Sequence, residues 1–571
     1  MSTLRLLHVL FRLLLTEPRR LHQPESNSLS AAVPPKIEPA AVLLLLLVCY
    51  LQFFYRLGGL GLVGPDEPRY AQVAREMAAS GDFVTPRLHG EPWFEKPILY
   101  YWMAAWAFTA LGVSELAARL PSAVAGLLGV VAVFLVGSHW ISRRCGMAAG
   151  LILASSPVYL SLARAASTDM LLASTLTMGL ACIYFAWFGR TGNADNKLST
   201  ACIYGTYVFV ALALLAKGPV AAVLAGFSVV LFGLTTRRWD LLRQLLQPGA
   251  ILSGLAVALP WYWLCYRANG WSFIQEFVIN HNLARFFTNR YQHPQPVWFY
   301  IPIVFAGLLP WIFQVLPPAW HWLRSVWLEP QNDRESALFW AWAVFPLVFF
   351  SLSRSKLPGY VLPMFPPLAL LAAKAWDKLW SIRSCKGLPP GQRLNLYTQS
   401  AFVLGLGLAL PLGAQLLDDE VSAFLLPMRT LLCAMGLCGI VLVWQWKPLA
   451  LFGIQLIGAG LAVVLITTQI VPRVDAVESS RQLAGTLQQQ GFAGEPIFIY
   501  RLSRRVEYGL NFYLNTRTRL IYSETDATYP EHGDLFLVTE DGVEAESVLP
   551  HARTLAQSQF LNQRIVRMAK R

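Results

Sequence analysis

Gly64-Pro65-Asp66-Glu67-Pro68-Arg69-Tyr70 is a charged segment that lies between two strongly apolar runs, residues 40–54 and 120–140. A second charged segment, Phe94-Glu95-Lys96-Pro97, precedes the second run. Apolar runs of this kind predict helices that enter or cross a bilayer. Because charge is costly beside a bilayer, these segments favour a working site. For the acidic pair alone, a solvated loop is the simpler interpretation, so the rest of the chain has to decide.

The composition is that of a polytopic membrane protein. Hydrophobic residues make up 55% of the 571 residues and charged residues only 14%, with a mean hydropathy of +0.45, which excludes an ordinary soluble domain. The formal net charge of +13 is the basic excess expected of inner loops, and no aromatic-interleaved basic stretch indicates nucleic-acid binding. The eight cysteines form no CxxC pair, so neither a disulfide framework nor a cysteine zinc site is predicted.

Hydropathy divides the chain into three parts. Residues 1–39 are basic and leucine-rich, then Pro/Ser-rich, and we interpret them as a cytoplasmic extension before an uncleaved first span. Residues 40–472 hold about thirteen predicted transmembrane helices, with an outer loop at residues 60–118 that includes a short interfacial helix. Residues 473–571 are polar and form the third part. The spans begin near residues 40, 120, 146, 168, 200, 220, 248, 297, 336, 357, 399, 425 and 449.

The basic residues indicate which side of the membrane each loop faces. With the N-terminus inside, most lysines and arginines fall in inner loops, and an odd number of spans places residues 473–571 outside. A single basic residue at an outer span end could be a snorkelling residue. Several of them opposite a set of carboxylates favour a charged cavity that receives an anion. These outer basic residues are Arg69, Lys96, Arg164, Lys217, Arg285, Arg354 and Lys356.

The C-terminal part predicts a small α/β domain that faces the same side as the charged loop. Its predicted helices are residues 480–490 and 506–514, and its predicted strands are residues 496–500, 519–522 and 534–538. No glycine-rich phosphate loop occurs in it. The whole chain shows no repeat of about 20 to 50 residues and no paired broken helices, which weakens a transporter interpretation.

Two charged pairs in the first outer loop could carry chemistry. Asp66 and Glu67 follow a Gly-Pro turn that should start a short helix at Glu67. A carboxylate there can orient an acceptor, act as a general base or meet a cationic sugar substituent. Glu95 and Lys96 would diverge by about 100° on a helix, so one could bind a metal or a partner charge while the other reaches a phosphate.

Three further segments place a cation or a histidine at an outer span end. Lys217 lies in a tight hairpin between spans five and six, where a turn residue and a phosphate ligand are equally good interpretations. His281 lies in a loop between spans seven and eight, and a lone histidine is more often structural than a ligand. Ser353-Arg354-Ser355-Lys356-Leu357-Pro358-Gly359-Tyr360 opens span ten and would form an anion site at a helix N-terminus.

The chain lacks the motifs of several common enzyme classes. It has no Ser-His-Asp constellation, Walker loop, Rossmann glycine pattern or HExxH. The available groups are carboxylates, cations, a tyrosine and one candidate metal pair. This set suits transfer of a group from a phosphate leaving group, because cations can stabilise the departing phosphate.

The charged segments resemble those of the bacterial lipid A aminoarabinose transferases, membrane glycosyltransferases of the GT-C fold that are related to protein O-mannosyltransferases. The segments occur in family order over residues 40–373, and the FEKP and KLPxY pieces together make the match specific. The N-terminal extension is longer than the family pattern, and the C-terminal half matches in hydropathy more than in motif. The matching segments are residues 65–70, 75–82, 94–97, 167–169, 217–218, 281–286 and 356–360.

The resemblance implies a multi-pass protein of the bacterial inner membrane, with its active site and C-terminal domain in the periplasm. It implies undecaprenyl phosphate carrying 4-amino-4-deoxy-L-arabinose as donor, lipid A phosphate as acceptor and no organic cofactor. Family positions assign catalysis to Asp66, Lys96 and Asp169. They assign a divalent metal, with zinc as the expected ion, to Glu95 and His281. The implied substrate-binding residues are Glu67, Arg69, Tyr70, Lys217, Arg285, Lys356 and Tyr360.

Two other functions stay open on the sequence. Another polyprenyl-phosphate glycosyltransferase, acting on a protein or a different glycolipid, would use the same motifs with a different acceptor cavity. A transporter or flippase would need charges along a path through the spans, whereas the distinctive charges gather at one face. We therefore expect an inverting transferase in which Arg69, Lys96 and Tyr360 hold the leaving undecaprenyl phosphate.

Overall fold

The computed structural model combines a large helical bundle with a small mixed-sheet domain. It describes residues 39–189, 196–284, 295–328, 333–382, 390–414, 419–516, 518–521, 534–549 and 551–570. Nearly all of the predicted N-terminal extension, and Arg285, lie outside the described residues. The helices of the bundle are α1 (Pro39–Cys49), α2 (Asp66–Ser80), α3 (Leu99–Leu111), α4 (Glu115–Trp140), α5 (Arg143–Ala154), α6 (Pro157–Ala163), α7 (Thr168–Phe188), α8 (Asn196–Lys217), α9 (Val220–Thr236), α10 (Trp239–Leu245), α11 (Pro248–Asn269), α12 (Tyr300–Gly307), α13 (Ile312–Leu328), α14 (Arg334–Leu352), α15 (Phe365–Ser381), α16 (Pro390–Ala414), α17 (Asp419–Trp444), α18 (Pro448–Leu465) and α19 (Val471–Glu478).

Seven helices in the described residues are long and apolar enough to cross a membrane, and an eighth span is possible if α5 and α6 form one span with a 66° bend. Three shorter apolar helices add to these, so the predicted number of about thirteen is not confirmed as a count. The helices that pass the test are Glu115–Trp140, Thr168–Phe188, Lys197–Lys217, Pro248–Asn269, Arg334–Leu352, Leu425–Trp444 and Pro448–Glu478. The shorter apolar helices are Pro39–Phe54, Val220–Thr236 and Val297–Gly307.

The first outer loop is folded rather than extended. Helix α2 begins at Asp66, so two carboxylates lie in its first turn, where they complement the helix dipole. It ends at Gly81, whose φ of 71° is the left-handed conformation that terminates helices. A two-stranded hairpin, β1 (Arg87–Leu88) with β2 (Glu91–Pro92), then leads to α3, the short apolar helix that the sequence predicts at this position. The loop thereby holds both charged segments on defined elements.

The C-terminal domain contains a five-stranded sheet in the order β4-β3-β5-β7-β6. Strands β4 and β5 pair in parallel with β3, whereas β7 pairs antiparallel with both β5 and β6. The predicted helices and first three strands are present, but the sequence prediction missed β6 and β7. The elements are α20 (Arg481–Gln489), β3 (Ile497–Tyr500), α21 (Arg504–Leu514), β4 (Thr518–Ile521), β5 (Asp534–Glu540), α22 (Ala545–Val548), β6 (Ala552–Phe560) and β7 (Gln563–Lys570).

The C-terminal domain packs against the first outer loop through α21. The Tyr513 hydroxyl donates to Glu115 Oε1 at 3.1 Å and accepts from the backbone nitrogen of Leu62 at 2.8 Å. Arg75 on α2 donates to the backbone carbonyl of Phe512 at 2.9 Å. The last apolar helix also runs into α19 without leaving the helical path, ending at Glu478. The domain is therefore fixed to the loop that carries Asp66 and Arg69.

Candidate active site

Glu67 has a structural position, because four protein donors satisfy its carboxylate. Its oxygens accept from Val63 N at 2.9 Å, Ala166 N at 2.6 Å, and Arg119 Nε and Nη2 at 3.0 and 2.7 Å. Glu67 thereby joins the first outer loop to the segment that precedes α7. Its side chain is buried and these bonds are made within the protein, and the prediction that Glu67 binds substrate stays a prediction.

Arg119 is the buried partner of Glu67, and the sequence analysis missed it. It is 2% exposed and also donates to the carbonyls of Leu57, Leu60 and Gly61, at 3.2, 2.5 and 2.7 Å. A charge this deeply buried is stable only with such a complete set of partners. The one available signal was an arginine beside the start of an apolar run.

Asp66 and Arg69 lie one helical turn apart on α2 and form an ion pair. Arg69 Nη2 lies 2.5 Å from Asp66 Oδ1 and 2.8 Å from Glu95 Oε2, so one guanidinium joins the two charged segments of the loop. Burial alone would lower the pKa of Arg69, but Glu95 and other nearby groups raise it above its usual value, so the side chain stays charged. Asp66 is the more accessible carboxylate, with 54% of its side chain exposed.

A cavity of about 280 Å³ opens beside these residues. One part of its wall is apolar and comes from the start of α9 and the end of α14. The other part carries two lysines, a glutamate, a histidine and a tyrosine, so the cavity can accommodate a molecule that is anionic at one end and apolar along the rest. The lining residues are Glu95, Lys96, Lys217, Pro219, Val220, Val223, His281, Asn282, Phe349, Phe350, Ser353, Ser355 and Tyr360.

Lys96 and Lys217 provide the cationic wall, and each is paired with a carboxylate. Lys96 Nζ lies 3.1 Å from Glu95 Oε1. Lys217 ends α8 and forms an ion pair with Asp169 in the first turn of α7, and its ammonium lies 4.5 Å from the ring centroid of Tyr360. The structure thus brings together the predicted residues from four separate segments. These contacts can be exchanged for contacts with a ligand, because they are made by side chains at the cavity.

Two glycines allow the elements around Asp169 and Lys217 to approach closely. Gly218 has a φ of +86°, and a Cβ atom there would lie 2.9 Å from the ring of Phe277. A Cβ atom at Gly359 would lie 3.1 Å from Asp169 Oδ2. A side chain at Gly218 would therefore be strained and would push against Phe277, and one at Gly359 would require Asp169 to shift by a few tenths of an ångström.

His281 lies on the π-helix Ile274–Ala284 and not in a loop as predicted, because Phe277 of this helix, with Phe273 just before it, packs on α11. Its Nε2 lies 2.9 Å from Glu276 Oε1. His281 and Glu95 line the same cavity. However, no group of three His, Cys, Asp or Glu residues in the described part of the chain could hold a metal ion, and protein zinc sites use three or four such ligands. The described residues do not complete a zinc site, and the predicted zinc stays a prediction.

Two further predicted ligands have their polar groups elsewhere. Lys356 is buried and donates to the backbone carbonyls of Gln295 and Ser353, at 3.0 and 2.5 Å, so it closes the turn before the 3₁₀ helix Pro358–Met364. Tyr70 is packed between Tyr100 and Tyr101 with ring centroids about 6 Å apart, which makes it part of the loop's core. Neither residue lines the cavity, and the predictions that they bind substrate stay predictions.

Comparisons with known proteins identify one family model and a set of similar transferases. The family model described as dolichyl-phosphate-mannose-protein mannosyltransferase matches residues 40–274. An undecaprenyl phosphate-α-4-amino-4-deoxy-L-arabinose arabinosyl transferase of Pseudomonas aeruginosa (strain LESB58) is 33% identical over 361 residues, or 62% of each chain, so this match spans less than two thirds of that relative. A second relative is the undecaprenyl phosphate-α-4-amino-4-deoxy-L-arabinose arabinosyl transferase 2 of Sodalis glossinidius (strain morsitans). It is 30% identical over 523 residues, which cover 87% of this chain and 89% of that one.

A solved structure confirms the predicted GT-C fold. The crystal structure of ArnT from Cupriavidus metallidurans bound to undecaprenyl phosphate has a TM-score of 0.75 and 25% identity, and the match covers 92% of this chain and 97% of that chain. With the nearly full-length match to the Sodalis protein, the conclusion is that this chain belongs to the family of undecaprenyl phosphate-α-4-amino-4-deoxy-L-arabinose arabinosyl transferases.

Proposed function

We propose that this protein transfers 4-amino-4-deoxy-L-arabinose from undecaprenyl phosphate to a phosphate of lipid A. The observation that carries the proposal is the cavity, whose two lysines and tyrosine lie beside an apolar wall that includes Phe349 and Phe350. A polyprenyl phosphate has matching chemistry, with one anionic group and a long apolar chain. The names of the relatives and the bound ligand of the Cupriavidus structure support this donor.

The transfer follows from charge stabilisation more than from proton transfer. An oxygen of the acceptor phosphate bonds to the anomeric carbon of the sugar with inversion, while the bond from that carbon to undecaprenyl phosphate breaks. The electron pair leaves with undecaprenyl phosphate, and Lys96 and Lys217 lie where they can stabilise the new charge. The acceptor is already an anion, so Asp66 and Asp169 serve best to position the acceptor or to bind the ammonium group of the sugar.

We propose the outer, periplasmic face of the inner membrane as the location of the site. The cavity lies at the ends of α8 and α14 that carry Lys217 and Ser353. The opposite ends of the bundle carry basic clusters, including Arg143 with Arg144 and Arg237 with Arg238. The positive-inside rule expects such clusters on the cytoplasmic side, and this supports a periplasmic position for the cavity and the C-terminal domain.

Mass spectrometry of lipid A from matched cells with and without this chain tests the function. We expect aminoarabinose on lipid A phosphate only where the chain is produced, with the Asp66→Asn variant as the inactive control. The family model of protein mannosyltransferases favours one alternative, a transferase that uses the same donor class on a protein or another glycolipid. Unchanged lipid A together with hydrolysis or transfer of the donor sugar to another acceptor would support that alternative.

Zinc binding needs a separate measurement, since no step of the proposed sugar transfer depends on the metal. If Glu95 and His281 hold zinc, elemental analysis of the purified protein should find one zinc per chain, and the His281→Ala variant should lose it. Zinc below stoichiometric amounts in both proteins would contradict the prediction.

A further inference from the structure

Three aromatic rings surround the guanidinium of Arg69, and one of them comes from the C-terminal domain. The carbon Cζ of Arg69 lies 5.4 Å from the ring centroids of Tyr70 and Trp93 and 5.3 Å from that of Tyr508. Tyr70 and Trp93 belong to the first outer loop, whereas Tyr508 lies on α21. Burial is the main cause that raises the pKa of Tyr508, so its ring stays neutral and attracts the cation.

Arg69 connects Tyr508 to the wall of the cavity. Its Nη2 lies 2.8 Å from Oε2 of Glu95, and the other oxygen of Glu95 lies 3.1 Å from Lys96 Nζ. Glu95 and Lys96 both line the cavity. When the guanidinium of Arg69 binds Glu95, this carboxylate competes less strongly with a ligand phosphate for the ammonium of Lys96. The charge on the cavity wall is therefore sensitive to the position of Arg69.

The position of Tyr508 is itself fixed by the packing of α21 on the loop. The same helix carries Tyr513, which binds Glu115 and the backbone of Leu62, and Phe512, whose carbonyl accepts from Arg75. Asn511 on this helix also contacts His89 Nε2 at 3.0 Å. The polar contacts of Asn511, Phe512 and Tyr513, about one helical turn beyond Tyr508, thus hold its ring against Arg69.

We propose that the C-terminal domain takes part in binding the donor, with Tyr508 as a positioning residue that holds Arg69 on Glu95 and so keeps Lys96 ready for the lipid phosphate. This inference rests on the proposed function, because the anion at Lys96 is taken to be a polyprenyl phosphate. The C-terminal domain then acts on the active site indirectly, through Arg69 and Glu95, in addition to continuing from the last transmembrane helix.

The test measures binding of undecaprenyl phosphate to the purified full-length protein, followed by transfer kinetics. We expect Tyr508→Ala to raise the Kd for undecaprenyl phosphate about 3- to 30-fold, the range of one cation–π contact, with kcat at saturating donor within about twofold of wild type. Tyr508→Phe keeps the ring but loses the hydrogen bond of the hydroxyl with Arg69, so its Kd should lie between those of wild type and Tyr508→Ala. Tyr513→Phe is the matched control, since it removes bonds of the same interface but keeps the Tyr508 ring, and it should lower thermal stability while raising the Kd much less than Tyr508→Ala does.

A double-mutant cycle tests whether the effect of Tyr508 on the Kd depends on Glu95. In a Glu95→Gln background, Tyr508→Ala should no longer change the Kd, because the charge that competes for Lys96 is absent. The inference is overturned if Tyr508→Ala binds like wild type, if Tyr508→Phe is as weak as Tyr508→Ala, or if Tyr513→Phe raises the Kd equally. Failure of the wild-type protein to bind undecaprenyl phosphate would instead contradict the proposed function.

Discussion

Two kinds of carboxylate–cation pair lie within the same outer region of the molecule. Glu67 and Arg119 are buried and are satisfied largely by backbone groups, including Ala166 N and the carbonyls near Leu60. Asp169 pairs with the side chain of Lys217, which lines a cavity. Backbone partners cannot leave without unfolding, whereas a side-chain partner can be replaced by a ligand. Whether an ion pair is structural or can bind a ligand therefore depends on whether its partners are backbone groups or side chains, more than on its charges.

Breaking the buried pair should have the largest effect, on stability. Arg119→Met leaves Glu67 buried with two backbone donors and no cation, and loss of one partner of a buried pair costs about 3–5 kcal/mol of unfolding free energy. Thermal unfolding in detergent measures this loss. Arg87→Ala is the control, because the Arg87–Asp82 pair is about one third exposed on each side and should contribute about 1 kcal/mol at most. Equal unfolding temperatures for the two variants would contradict the structural role of Arg119.

Replacing Asp66 should stop catalysis while leaving the fold intact. Asp66→Asn keeps the shape of the side chain and removes a charge that is half-exposed, so the unfolding temperature should stay near that of wild type. Loss of a catalytic electrostatic contact should lower kcat about 100- to 1,000-fold. Transfer assays with purified protein give the rate. Full activity of this variant would remove Asp66 from the catalytic set.

Lys217→Met tests the cation of the working pair. Loss of one charged contact to a phosphate should lower kcat/KM about 10- to 100-fold, since such contacts contribute about 1.5–3 kcal/mol. Lys374 offers a matched control, because it also pairs with a carboxylate, Asp333, but at the opposite end of the bundle. Lys374→Met should leave kcat/KM within about twofold of wild type. A similar loss in both variants would mean that the assay reports folding and not donor binding.

The sequence could predict the charged residues of the site but not the partners that define their roles. Asp66 and Glu67 are neighbours with the same charge, yet α2 turns Glu67 into the protein and leaves Asp66 accessible. The same holds for Lys356, because only the structure of the turn before Pro358 shows that its ammonium donates to backbone carbonyls.

Periodicity explains which elements the sequence could predict. The long apolar runs predict the helices of the bundle, and the short continuous apolar runs of β3 and β5 predict strands that are buried on both faces. Strand β6 was missed because most of its residues are exposed on the sheet and polar, as in Arg-Thr-Leu-Ala-Gln-Ser-Gln. The contact of Tyr508 with Arg69 joins residues far apart in the chain, and no local pattern predicts it.

The smallest effect should come from removing the carboxylate of the working pair, and its direction is the sharpest test of the comparison. Asp169→Asn takes away the group that holds Lys217 in the ligand-free state, so the ammonium is more available to a phosphate. We expect undecaprenyl phosphate to bind with an unchanged or a few-fold lower Kd, while the transfer rate falls because Asp169 no longer serves the acceptor or the sugar. Titration of the purified variant beside Lys217→Met separates the two partners. If both substitutions weaken binding equally, Asp169 and Lys217 form a structural pair like Glu67 and Arg119, and the distinction between exchangeable and fixed partners does not hold at this cavity.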